Sequence, residues 1–145
     1  MHVGHFALIS GVIYLAVGIL GFIPGALQPP GAGAPPLVVD QSYGRLFGLF
    51  PVNIVHNVVH LAIGVWGVLT WRRFAAARTY ATSLAVIYGL LTVFGLIPGL
   101  NTLFGLAPLF GHDVWLHALT AAVAAYFAVT ARRGEVARDR YQRAA

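Results

Sequence analysis

The chain has 145 residues, of which 59% are hydrophobic and 9% charged, against about 45–50% and about 25% in an ordinary soluble domain. Nine basic and four acidic side chains cannot cover a globule of this size, and a mean hydropathy of +0.79 makes lipid the solvent. A water-soluble domain is excluded, and an integral membrane protein is expected.

In chain order, Phe6 to Leu27 carries no charge and predicts a first span over about residues 6–26. The proline-rich segment Gln28–Pro36 cannot continue it as a helix. No Lys or Arg precedes this run, and the small-residue triplet Ala32-Gly33-Ala34 lies far beyond it, so an uncleaved helix is expected rather than a signal peptide. A second uncharged run, Leu46–Trp71, predicts a span over about residues 50–71, with Pro51 in the first helical turn, where its missing N–H is not needed. Past Arg72, Arg73 and Arg78, the stretch Thr79–His112 is broken by Pro98-Gly99 and Pro108, giving a third span over about 79–98 and a loop. A fourth span over about 112–131 is followed by a basic cytoplasmic tail, residues 132–145. The expected fold is all-α, with a four-helix transmembrane domain over residues 1–131.

All nine cations are arginine, for a net charge of +5. In a soluble protein that balance would point to nucleic acid, but here the arginines flank the second-to-third connection and the C-terminus, so no nucleic-acid partner is expected. The positive-inside rule places those two regions, and hence both termini, in the cytoplasm, in a multi-pass protein of the cell inner membrane. Small residues, Gly11, Gly18, Gly21 and Gly25 on helix one, Gly64 and Gly67 on helix two, and Ala118, Ala121, Ala122 and Ala125 on helix four, allow close helix contact in lipid. They serve packing within the bundle first, and a homo-oligomer or a larger membrane complex second.

The sequence repeats itself. Val12-Ile13-Tyr14 leading to Gly21-Phe22-Ile23-Pro24-Gly25 recurs as Val86-Ile87-Tyr88 leading to Gly95-Leu96-Ile97-Pro98-Gly99, at an offset of 74 residues. Leu46-Phe47-Gly48-Leu49-Phe50-Pro51 recurs as Leu103-Phe104-Gly105-Leu106-Ala107-Pro108, at an offset of 57. Two helical hairpins are therefore expected, inserted in the same sense about an axis along the membrane normal. The second offset carries His60 onto His117 and His56 onto Asp113.

Each equivalent helix thus bears a polar pair at i and i+4, His56/His60 and Asp113/His117, each pair on one helical face. Ionisable groups within a span face the bundle interior, so three imidazoles and one carboxylate are expected to converge between helices two and four. On a helix start at Pro51, His56 lies about 7 Å below the outer end and His60 about 13 Å. This donor set suits a divalent metal such as zinc, and iron or copper would accept it as well. A second reading makes the cluster a helix-packing device, with Asn53 and Asn57 as further partners, in a structural or accessory subunit of a larger membrane complex. A third takes His60 and His117 as axial ligands of haem b and leaves His56 and Asp113 without a role. His112 rivals Asp113 if the alignment shifts by one residue. His2 and His5 are expected at the cytoplasmic interface, and Asp40, Tyr43 and Arg45 at the outer surface. The absence of cysteine excludes disulfides and thiolate ligation, and no nucleophile or carboxylate pair points to catalysis.

The segments Gly-Ile-Leu-Gly-Phe-Ile-Pro-Gly at 18–25, Leu-Phe-Gly-Leu-Phe-Pro-Val-Asn-Ile-Val-His-Asn-Val-Val-His-Leu at 46–61, and Asp113-Val-Trp-Leu-His117 resemble the bacterial membrane proteins grouped as domain of unknown function 4383. The resemblance covers most of the chain and implies a small four-helix inner-membrane protein. It brings no activity, substrate or cofactor with it.

Overall fold

A computed structural model describes the backbone of residues 2–144 and the side chains of residues 2–134. Four helices carry the chain: α1 (Val3–Leu20), α2 (Ile54–Thr70), α3 (Phe74–Leu96) and α4 (His112–Ala144). Between α1 and α2, a short 3-10 turn (Pro24–Ala26) leads into three short strands, β1 (Leu27–Gln28), β2 (Gly44–Leu46) and β3 (Phe50–Val52). These form an antiparallel sheet in the order β1-β2-β3, where the sequence alone had suggested an irregular loop.

The helix boundaries differ from the expected spans for local reasons. The first helix stops at Leu20 rather than near residue 26 because Gly21 closes it, donating its N–H to Val17 at 3.0 Å, and Pro24 beyond it has no N–H to offer. Pro51 does not open α2. It sits in β3 opposite Arg45, on an edge strand, where a missing ladder donor is tolerated. The helix instead begins after Asn53, whose side chain accepts the His56 N–H at 3.0 Å, a strong N-cap. The third helix starts at Phe74 rather than 79, because a tight turn in which Arg73 N–H reaches Thr70 O at 3.0 Å brings the chain straight back. The expected tail, residues 132–145, continues α4 as helix to Ala144; beyond Gly134 its side chains lie outside the described residues.

Three helical segments, Val3–Leu20, Phe74–Leu96 and His112–Gly134, are long and apolar enough to cross a membrane, and α2 is a shorter apolar helix. Their outward faces are apolar: Val12 and Ile13 on α1, Val65 and Leu69 on α2, Leu90 and Val93 on α3, and Leu119 on α4 are all exposed. Such an exterior suits lipid contact and is costly in water.

α1 packs along α2 and α3 along α4, and the two pairs meet mainly through α1 and α3. The α1–α2 contact is made by glycine. A Cβ on Gly11 would fall 2.8 Å from Val68 N and 2.9 Å from Gly64 O, and one on Gly64 would fall 2.7 Å from Leu15 N. The backbones approach as in small-residue membrane interfaces. Gly25, expected in the same stripe, faces open space. The buried core is centred on α3, through Ala77, Tyr80, Ala81, Leu84 and Tyr88, with Val3, Phe6 and Ala7 from α1 and Ala124, Phe127 and Ala131 from α4. α2 and α4 do not pack along one another, and the space between them houses the polar residues.

Two turns, one before α2 and one before α4, are built alike. Phe47 and Gly48 have positive φ (53° and 75°), and so do Phe104 and Gly105 (58° and 84°), positions related by the offset of 57. Left-handed backbone at a phenylalanine is uncommon, so its occurrence at both sites is informative. The segments leading into α2 and α4 are tied together: Val38 and Val39 donate N–H groups to Gly105 O at 2.9 and 3.1 Å. Asn53 Nδ2 also donates to Val39 O at 2.8 Å and Leu106 O at 2.7 Å.

Candidate functional site

Asn53 fixes the first turn of α2, and with it His56. Asp113 occupies the first turn of α4, immediately after Gly111, whose φ of 67° turns the chain into the helix. Because both helices begin later than their prolines, His56 and Asp113 lie in the first turns of α2 and α4. His60 and His117 lie one turn further along, roughly 6 Å, so the cluster sits nearer the helix starts than a start at Pro51 implies.

All four residues are buried, His56 and His60 at 7% exposure, Asp113 at 2% and His117 at 3%. His56 is the hub. Its Nδ1 stands 3.7 Å from Asp113 Oδ2, beyond hydrogen-bond length, and its Nε2 is 3.2 Å from His60 Nε2. One ring nitrogen of each of His56 and His117 and a carboxylate oxygen of Asp113 lie within 4.8 Å of one another. His60 joins this group through His56. His112 stays exposed at the start of α4, edge-on to Phe50 at 6.3 Å, and takes no part. His2 and His5 are exposed at the opposite end of the chain's first helix.

Two residues that the helix-packing reading adds to the cluster make their hydrogen bonds elsewhere. Asn53 is a cap and loop tether. Asn57 points away from the histidines and donates to Gly21 O at 2.7 Å, on α1. Their places are taken by two tyrosines that the motif analysis had not assigned to the site. The Tyr14 ring packs on His60 at 5.2 Å and the Tyr88 ring on His117 at 5.1 Å. The tyrosines meet each other at 5.7 Å. Both belong to the repeated Val-Ile-Tyr triplet, which was the available signal.

Four buried nitrogen or oxygen atoms here have no hydrogen-bond partner: Nδ1 of His56, His60 and His117, and Oδ2 of Asp113. Leaving one such atom unpaired costs about 1–3 kcal/mol. His56 also has the Pro108 backbone carbonyl as a neighbour, so the want of partners is greatest at His60, His117 and Asp113.

Residues 5–130 match the profile of the family described as Domain of unknown function (DUF4383). The chain belongs to this family. The DUF4383 match begins at His5 in α1 and ends at Thr130 in α4, so it takes in every residue of the cluster. No curated protein and no solved structure matches the chain, and the DUF4383 description carries no activity, so function has to be argued from the site.

Proposed function

We propose that this DUF4383 protein is a four-span protein of the bacterial inner membrane that holds a divalent metal ion on His56, Asp113 and His117, with His60 supporting His56. The carrying observation is the set of four unpaired, buried donor atoms drawn from two different helices. A metal shell on His56, Asp113 and His117 would use lone pairs of these residues directly, with His60 Nδ1 outside it. Imidazole nitrogen and carboxylate oxygen match zinc, and iron or copper would accept the same donors. A tetrahedral shell at about 2.0–2.1 Å brings donors to roughly 3.3 Å of each other. The three residues therefore draw inward from their 4.8 Å envelope when the ion binds.

On this reading the two hairpins, α1–α2 and α3–α4, are repeats inserted in the same sense, and the ion lies on the axis between them. Support comes from the matching left-handed turns at Phe47-Gly48 and Phe104-Gly105. Further support comes from equivalents that meet: Tyr14 with Tyr88, and His56 with Asp113. Arg72, Arg73, Arg132 and Arg133 would lie on the cytoplasmic side with both termini, leaving the site near the outer surface.

The alternative, an accessory subunit using the cluster for helix association, draws nothing from the His56–His60 contact, which lies within α2. Haem ligation through His60 and His117 leaves the approach of His56 to Asp113 unused. The deciding experiment is elemental mass spectrometry of protein purified in detergent, without chelator or metal-affinity tag, beside a His56→Ala/His117→Ala variant. About one metal ion per chain, lost in the variant, is expected. No metal above background in either protein overturns the reading, and iron with a Soret band would replace it with haem.

A further inference from the structure

A cavity of about 340 Å³ runs from the His/Asp cluster to the outer faces of α1 and α4. That volume lies in the range of small-molecule sites, about 300–1,000 Å³. Its two side walls are apolar, formed by Ile13 and Val17 of α1 and by Leu116, Leu119 and Val123 of α4. Ile13, Leu116, Leu119 and Val123 are also exposed, so the cleft is open sideways between the two helices. α1 and α4 touch only over a short stretch: Phe6 stacks on Phe127 at 4.9 Å at the inner end, and Phe47 and Phe50 cover the outer end. From Phe6 to Val17 the groove is roughly 16 Å long at 1.5 Å per residue.

We infer that this cleft binds a membrane-dissolved, single-chain amphiphile with an uncharged hydroxyl or carbonyl head, entering sideways between α1 and α4. The tail lies between Ile13, Val17, Leu119 and Val123, and the head meets His56, His60, Asp113, His117 and Tyr88 at the back wall. The chemistry of that wall selects the head. A neutral imidazole offers one donor and one acceptor nitrogen, which a hydroxyl satisfies in both directions. No Lys or Arg stands among the described residues lining the cavity to hold an anionic head. The orphaned atoms of the cluster are thus placed at the end of an otherwise greasy slot, the arrangement expected of a site that orients a lipid-borne molecule by its polar end. The inference rests on the membrane placement proposed above and is made for the ion-free wall, because the ion and the head draw on the same lone pairs of His56, Asp113 and His117 and therefore compete.

The test uses the full-length protein in phosphatidylcholine vesicles with a diazirine-bearing hexadecanol, irradiated, digested and mapped by mass spectrometry. Adducts are expected to concentrate around Ile13, Val17 and Leu119 over the outward-facing Val65 and Val86. An excess of plain hexadecanol should cut them at least fivefold and palmitate should do so far less. Thr120→Trp and Val17→Trp, which fill the cleft from opposite sides, should each abolish the concentrated labelling in protein that still elutes as a single detergent species. Uniform labelling of all apolar faces, insensitive to competitor, overturns the proposal, as does stronger competition by palmitate. Labelling is repeated after chelation, where it is expected to persist. Its loss would overturn the claim that side chains alone hold the head, while metal content, read separately, reports on the ion.

Discussion

The Tyr88 ring lies 5.1 Å from that of His117 at 67°, and Tyr14 repeats the relationship with His60 at 5.2 Å and 52°. Tyr14 and Tyr88 are one repeat offset apart, and His60 and His117 the other, so the same tyrosine–histidine pair occurs once in each hairpin. The tyrosines also touch, which places two aromatic rings directly against His60 and His117. These side chains pack on the imidazoles from α1 and α3.

The contacts made by Tyr88 with His117 are between rings, so the ring rather than the hydroxyl positions the histidine. Tyr88→Phe should retain metal stoichiometry but lose the buried hydrogen bond between the Tyr88 and Tyr14 hydroxyls, destabilising by about 1–2 kcal/mol. Tyr88→Ala removes a side chain that is 2% exposed and should destabilise by about 3–5 kcal/mol, as aromatic truncations in cores do, with reduced metal occupancy. Equal effects of the two substitutions would show that the hydroxyl, not the ring, matters.

Asn53 combines two tasks that substitutions can separate. Its carbonyl oxygen accepts from His56 N, and its amide nitrogen donates to Val39 O and Leu106 O, tying the start of α2 to the segments leading into α2 and α4. Asn53→Ala should lose the cap, about 1 kcal/mol, and the two part-buried tethers to Val39 O and Leu106 O, for a total of about 1–3 kcal/mol. Asn53→Asp keeps the cap but sets a carboxylate against two carbonyls, and should be at least as damaging. Circular dichroism melts in detergent check both, and a harmless Asn53→Asp would show that the loop tethers contribute nothing.

The pattern of what the sequence revealed follows from the range of each signal. The approach of His56 to Asp113 was legible because the offset of 57 and the i, i+4 spacing are local arithmetic on helices. The start of α2 was not, because Pro51 suits a first helical turn and an edge strand equally well, and only pairing with Arg45 decides between them. The small sheet escaped notice for the same reason: β1 has two residues and its partner β2 is far along the chain, too little for any alternation to appear. Asn57 was assigned to the polar cluster on composition. Which face of α2 it occupies is set by the close approach of Gly21, where no side chain intervenes.

The α1–α2 contact should be intolerant of added volume. At Gly11 and Gly64 the atoms that a new Cβ would meet include backbone of the facing helix at 2.7–2.9 Å, which cannot rotate away. Gly11→Val and Gly64→Val should each lower the midpoint of thermal unfolding markedly or prevent recovery of folded protein. Gly89, on α3, has nothing within 4 Å of a built Cβ, and Gly89→Ala should be neutral or stabilising by up to about 1 kcal/mol through helix propensity. A tolerated Gly11→Val would mean that α1 and α2 are not held backbone to backbone.

Sidedness offers the cleanest check on the proposed topology, because the chain contains no cysteine and any introduced thiol is unique. Ala32, in the segment between α1 and β2, and Ala75, in the first turn of α3 beside Arg72 and Arg73, are both exposed. With both termini inside, Ala32→Cys should react with a membrane-impermeant maleimide applied to intact spheroplasts. Ala75→Cys should react only after the membrane is opened. The opposite pattern would invert the bundle and place the outer ends of α2 and α4, with His56 and Asp113, beside the cytoplasm. Labelling of both from outside would remove one crossing between them, and α2, the shortest of the four helices at 17 residues, would be the one to lose its place as a span.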